Sequence, residues 1–390
     1  MAHQIYQEAQ AIAEELVSVR RALHQIPELG TNLPKTVAFV TEKLDAMDIP
    51  YEVYEDCSCV VATLGKGDRC FLLRSDMDGL PVQEDTDLPF ASTNGCMHAC
   101  GHDLHATTLL GAAKLLKAHE SELKGTVKLF FQSGEELFAG AQAGMAHGLL
   151  ENPKVDAAFA MHVFGSLPAG KVVYGHYAMS AVYGFRFILT GKGTHGSSPE
   201  SGIDPINTGL HIHLALQELI AREVSALDEA TLTIGKFCSG SAFNVMPHTA
   251  VMEGSLRSFK PEVTDYLRHR IDEVARAVAK TYRTQIEIET ISLVPATICD
   301  EPLTQEFLDS IASLDADIPV APEYHVMGSE DFAFITEKIP GSYMAIGAGG
   351  PDPSTWRGQH NPQILFEESV LPTGAAIYAK VAMDWLQKHG

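Results

Sequence analysis

The stretch "NGCMHACGHDLHA", residues 94–106, holds Cys96, His98, Cys100, His102, Asp103 and His105. Thiolate, imidazole and carboxylate together suit Zn²⁺, and imidazole with carboxylate also accommodates Mn²⁺. A second stretch, "FFQSGEE", ends an apolar run in Glu135 and Glu136. Adjacent carboxylates repel, so away from solvent they need a reason to coexist. Beside a divalent cation, one can ligate while its neighbour acts as a base. Neighbouring residues on extended backbone point to opposite sides, which suits two separate jobs. Two isolated histidines complete the set, His162 in "AFAMHVF" and His360 in "RGQHNP". Taken singly, Cys100 reads as a buried thiol, Asp103 as a first-turn carboxylate, and the histidines as core or loop residues. Taken together, four separate places carry metal-capable side chains.

The elements around these residues explain how distant groups can meet. "SCVVATLG", "RCFLLRSDMDGLPV", "GTVKLFFQSGEE" and "DAAFAMHVF" read as buried strands. "HDLHATTLLGAAKLLKAHE" and "AGAQAGMAHGLLE" read as helices between them. Such alternation predicts an α/β domain whose sheet is mixed and mostly parallel, with helices on both faces. In sheets of this kind functional groups gather at the carboxyl ends of strands. Asp76, Asp78, Glu135, Glu136 and His162 all fall at or near such ends.

The rhythm changes near residue 180. Strand, helix, two strands, helix and strand follow to residue 295, a βαββαβ order that predicts a ferredoxin-like α+β domain. The α/β style then resumes with "EPLTQEFLDSIASL", "SYMAIGAG" and "SVLPTGAAIYAKVAMDWLQK". The expected organisation is one domain from residues 1–180 and 296–390, with residues 181–295 inserted. A chain of 390 residues fits two cores better than one.

Fifty acidic against 28 basic residues give a formal charge of −22, which argues against nucleic acid or an anionic membrane as partner. Seven scattered cysteines suggest reduced thiols rather than a disulfide framework, hence a cytoplasmic protein. The N-terminus reads as an amphipathic helix without the apolar core of a signal peptide, and no apolar run is long enough to span a bilayer. A zinc nucleobase deaminase would want Pro-Cys-x-x-Cys, which this chain lacks.

Seven motifs, "MHACGHDLHA", "SGEE", "AMHV", "GKGTHGSSP", "FNVMPHTAVMEGSLRS", "GSEDFAF" and "QHNP", occur in this order over nearly the whole chain. Their set resembles the metal-dependent amidohydrolases and aminoacylases. That family includes hippurate hydrolase, N-acetyl-diaminopimelate deacetylase and the hydrolases of indoleacetic acid–amino acid conjugates, and is related to carboxypeptidase G. The resemblance implies two divalent metal ions, Mn or Zn, held by Cys100, His102, Glu136, His162 and His360. It implies Glu135 as general acid/base, acting on a metal-activated water to split the amide bond of N-acyl amino acids. It implies His195 as an oxyanion-stabilising residue supplied across a homodimer. Asn244 and Arg257 match residues that bind the substrate carbonyl or carboxylate, and the inserted domain becomes a lid and dimerisation domain. Asp76, Asp78 and Asp103 would orient ligands, and Glu330 and Asp331 would lie beside the site. Two positions depart from the usual pattern: Ser133 stands where relatives commonly carry proline, and Glu200 where many carry histidine. Neighbouring readings are a dipeptidase, an N-acetyl-diaminopimelate deacetylase, or a non-catalytic binding protein. The last would be marked by loss of Glu135 or a ligand, and none is lost.

Overall fold

The computed structural model describes residues 3–314 and 316–390. The chain divides into two compact units. One takes in the chain up to Ala178, Ile298–His325 and Asp331–Gly390, and the other Met179–Thr297 and Val326–Glu330.

The first unit is built on an eight-stranded sheet. Its strands lie in the order Tyr51–Tyr54, Cys59–Gly65, Thr126–Gln132, Cys70–Asp76, Ala157–Pro168, Gly341–Gly349, Val172–Val173, Val320–Ala321. The four strands from Thr126–Gln132 to Gly341–Gly349 run parallel to one another, and antiparallel pairs flank them. Every residue of Cys70–Asp76 and Thr126–Gln132 is buried, as expected of strands covered on both faces. Helices His102–Ala118 and Leu371–His389 are buried over most of their length, so neither shows a clean polar face.

Register explains why chemistry collects at one level. Asp76 pairs with Gln132 on one side, and Arg74 pairs with Ala160 on the other. His162 lies two residues beyond Ala160, so Asp76, Gln132 and His162 fall in one row across three parallel strands. Glu135 and Glu136 follow directly after Gln132.

Three local expectations change. The N-terminal helix is two helices, Gln4–Ala11 and Ala13–His24, because Ile12 leaves helical geometry at φ −102° and ψ 10°. The helix expected over 139–151 covers only Gly140–Ala146, after which Gly148 turns at φ 85°. The strand read through residue 82 ends at Asp76.

The second unit carries a four-stranded antiparallel sheet in the order Ala230–Ser239, Thr249–Ser258, Ala181–Thr190, Gln285–Val294. Helices Pro205–Glu218 and Pro261–Thr281 pack on it around a separate core that includes Phe185, Phe187, Ile212, Leu256 and Ile271. No helix among the described residues is long and apolar enough to cross a membrane.

Candidate metal centre

His102 opens the buried helix that follows Gly101, whose left-handed φ of 90° turns the chain sharply into the helix. A Cβ at position 101 would sit 2.4 Å from Val163 Cγ2, so the close approach needs glycine. The turn thereby sets Cys100 against the strand that carries His162. Cys100 Sγ lies 3.4 Å from His162 Nε2.

Four carboxylates surround His102. Its Nδ1 is 3.3 Å from Asp78, and its Nε2 is 3.8 Å from Asp76 and 4.0 Å from both Glu135 and Glu136. Glu136 Oε1 lies 3.3 Å from His360 Nε2. Donor atoms of Cys100, His102 and His162 converge within 4.8 Å of one another, and so do those of Cys100, Glu136 and His360. Cys100 belongs to both groups. All six residues, Glu135 included, come from the first unit.

The donor set fits a cation. His102 Nε2 and Glu136 Oε1 are buried with no hydrogen-bond partner. Buried polar atoms are ordinarily paired, so converging orphans mark a place for something positive. Titration behaviour points the same way. Burial works against charge on His102, yet Asp76, Asp78 and Cys100 overcome it and hold the ring well above the ordinary histidine range. His360 is raised to about 10 by the neighbouring Cys100 and Glu136, which outweigh burial. Burial pushes the Cys100 thiol up, with His102 and His360 opposing. Surroundings that hold protons on two histidines would hold a dication in their place. Burial drives His162 well below its usual value. Its Nδ1–H donates to the Val163 carbonyl at 2.7 Å, leaving the Nε2 lone pair facing Cys100. That is the tautomer of a neutral ligand.

A surrounding layer holds these groups. Asp78 accepts the backbone N–H of Glu135 and of Glu136, each at 3.2 Å, and fixes the acidic turn. Asp76 accepts from Arg74 at 2.7 Å and from His105 Nδ1 at 2.5 Å, while His105 Nε2 accepts the Val163 N–H. Burial opposes ionisation of Asp76, but His102, Arg74 and His105 keep its carboxyl well below the usual range. Asp331 ties Arg74, Gln132 and the Ala141 N–H together at 3.0, 2.7 and 3.0 Å. Asp103 does not face the donors; it pairs with Arg20 and His24, each at 2.8 Å. Glu330 is buried at the end of the second unit's Val326–Glu330 segment.

The sequence reading gives Arg74, Arg20 and His24 no role, and His105 figures in it only among the metal-capable residues of 94–106. The alternation within "FLLRSD" could have exposed Arg74, because an arginine in a fully buried strand needs anionic partners. Arg20 and His24 carried no local signal, since their partner Asp103 is about 80 residues away.

His195, Asn244 and Arg257 belong to the second unit. His195 is exposed and pairs with Val245 in a short antiparallel ladder. Its Nδ1 accepts from Ser197 Oγ at 2.7 Å and from the Ser197 N–H at 3.2 Å, which leaves the proton on Nε2. Asn244 is exposed, and its carbonyl accepts the Gly196 N–H at 2.8 Å. Arg257 is half-buried and donates to the Met327 carbonyl at 2.8 Å and to Ser329 Oγ at 3.1 Å.

A parallel-centred sheet with converging thiol, imidazole and carboxylate donors, two adjacent glutamates among them, fits a metal-dependent hydrolase. Comparison with known proteins agrees. The model of Peptidase family M20/M25/M40 matches residues 72–384. The chain is 36% identical over 383 residues to IAA-amino acid hydrolase ILR1-like 2 of Arabidopsis thaliana, covering 96% of this chain and 85% of that one. It is 33% identical over 386 residues to N-acetylcysteine deacetylase of Bacillus subtilis (strain 168), covering 97% and 98%. The crystal structure of Bacillus subtilis YXEP protein, described as a dinuclear metal binding peptidase from M20 family, superposes with a TM-score of 0.83 at 30% identity, covering 97% and 99%. The chain belongs to peptidase family M20/M25/M40, and the resemblance read from its motifs is borne out at that level.

Proposed function

We propose that this protein hydrolyses the amide bond of N-acyl amino acids, releasing a carboxylic acid and a free amino acid. The observation that carries the reading is Glu135, set 4.0 Å from His102 Nε2 beside two donor groups that share Cys100. The names of its relatives, an IAA-amino acid hydrolase and an N-acetylcysteine deacetylase, support the substrate class.

Cys100, His102, Glu136, His162 and His360 would hold two divalent ions, Zn²⁺ or Mn²⁺ being the metals suited to these donors. Bound there, the ions supply Lewis acidity that polarises an amide carbonyl and acidifies water. Glu135 takes the proton from the attacking water and passes it to the departing amine nitrogen. The Asp78 carboxylate holds the Glu135 backbone while this happens. In the same reading the second unit, ferredoxin-like in strand order, is a lid and dimerisation domain. His195 steadies the developing oxyanion across a homodimer, its Nε2–H being the free donor. Asn244 and Arg257 bind the substrate carbonyl and carboxylate, an apt use of guanidinium. The seven cysteines are free thiols, which suits the cytoplasm.

The test is amine release from a panel of N-acetyl, N-benzoyl and longer N-acyl amino acids and dipeptides, with added Mn²⁺ or Zn²⁺, with chelator, and with Glu135→Ala. Metal-dependent hydrolysis of acylated substrates that vanishes in the variant is expected. Preference for free-amine dipeptides would make the protein a dipeptidase. No turnover with metal bound would overturn the catalytic reading.

A further inference from the structure

A second convergence of metal-capable side chains lies in the first unit, built from residues outside the centre above. Strands Tyr51–Tyr54 and Cys59–Gly65 form a hairpin in which Tyr54 pairs with Cys59. The turn between them carries Asp56 and Cys57, and Ser58 closes it in the left-handed region at φ 53°. Some 90 residues later, His147 stands at the end of helix Gly140–Ala146. Its ring stacks on Tyr54 with centroids 4.6 Å apart and planes 18° from parallel, and its Nε2 pairs with Asp56 Oδ1 at 2.8 Å. Donor atoms of Asp56, Cys57 and His147 all lie within 4.8 Å of one another.

We propose that Asp56, Cys57 and His147 form a third metal site, selective for a thiophilic divalent cation such as Zn²⁺ or Cd²⁺. Sulfur, imidazole nitrogen and carboxylate oxygen are the three donor types Zn²⁺ accepts, and three protein ligands leave a position for water. Hydrogen bonding from the neighbouring Cys59 thiol lowers the Cys57 thiol to about 7, burial opposing. A thiolate there, with the Asp56 carboxylate, carries two negative charges, which a dication neutralises. Access exists on the open side. Cys57 is buried while Asp56 and His147 are exposed. Hard cations such as Mg²⁺ and Ca²⁺ prefer all-oxygen sites and are excluded by this donor set.

The site is independent of the catalytic reading, and the experiment separates them. Metal-depleted protein is loaded with excess Zn²⁺, dialysed, and its metal counted by mass spectrometry. Cys57→Ser and His147→Ala should each bind one ion fewer per chain than the parent protein, with hydrolysis changed less than twofold. His147 is exposed, so its variant serves if Cys57→Ser fails to fold. In Cys100→Ala protein, Cd²⁺ should still raise a sulfur-to-metal charge-transfer band, and adding Cys57→Ser should abolish it. Equal metal counts in the parent and both variants, or no band in Cys100→Ala protein, would overturn the proposal. Failure of the catalytic reading would instead appear as absent hydrolysis with this one-ion difference intact.

Discussion

Asp78→Asn isolates what the layer behind the donors does. The side chain keeps its shape but exchanges one carboxylate oxygen for an NH₂ group. At present Oδ1 accepts the Glu135 N–H and Oδ2 the Glu136 N–H, both at 3.2 Å, and Oδ1 also lies 3.3 Å from His102 Nδ1. An asparagine can serve only one of those two backbone donors. The other is left facing a second donor in a buried place, at roughly 1–3 kcal/mol. If His102 ligates as proposed, removing the negative charge beside it also weakens the partner that orients its imidazole, an effect of about 10–100-fold in metal affinity. Two readouts follow. Competition with a chromophoric chelator should give metal affinity lower by that factor. Turnover should also stay below the parent value after metal is restored to saturation, because Glu135 hangs from the same carboxylate through its backbone. Parent-like metal affinity together with parent-like turnover at saturation would refute the reasoning. Loss of affinity with full recovery of turnover would assign Asp78 to metal binding alone.

Gly101→Ala should be costly, because the residue sits at φ 90° and a Cβ would press to 2.4 Å from Val163 Cγ2. A loss of about 1–3 kcal/mol from backbone strain alone is expected in urea unfolding of metal-free protein, with metal binding impaired as Cys100 and His102 shift. Asp103 governs the acid side of stability. Burial opposes its charge, but Arg20 and His24 hold its carboxyl below the ordinary 3.8. A depressed folded value means this stabilisation is present above about pH 4 and is lost as pH falls through the lowered value. Asp103→Asn should therefore unfold at lower urea near neutral pH, by about 1–3 kcal/mol for the lost charge-assisted bonds since Arg20 keeps Glu368 at 3.2 Å, and show a flatter decline below pH 4. Parallel pH profiles for the two proteins would count against it.

The parallel sheet was readable because its strands are short apolar runs broken by turns, and "FFQSGEE" announces a strand that ends in charge. Local conformation was less readable. Ile12 interrupts the N-terminal helix although its sequence periodicity runs on, since helix continuation there depends on packing rather than pattern. The helix after Ala139 stops at Ala146 although "MAHGLLE" has helical spacing, because Gly148 takes a left-handed turn. Cys100, His102, Glu135, Glu136, His162 and His360 could be named from type and motif, because metal-capable side chains are rare enough in combination to stand out. Arg74, Arg20 and His24 could not, because what distinguishes them is a partner far away in sequence. Asp103 shows the same limit from the other side: motif position suggested a role beside the donors, and its contacts run to Arg20 and His24 instead.

By itself the sequence determined the chemistry available: which side chains could bind a metal, and that strands would carry them to one end of a sheet. These follow from residue type and periodicity, both local properties. Only the tertiary structure decided which donors meet. Parallel register sets Asp76, Gln132 and His162 in one row, and the Gly101 turn brings Cys100 to 3.4 Å from His162. Long-range packing also drew Asp56 and Cys57 to His147, a convergence no local pattern encodes. Distance between residues remote in the chain is fixed by the packing of whole elements, and that packing is a property of the folded chain rather than of any segment within it.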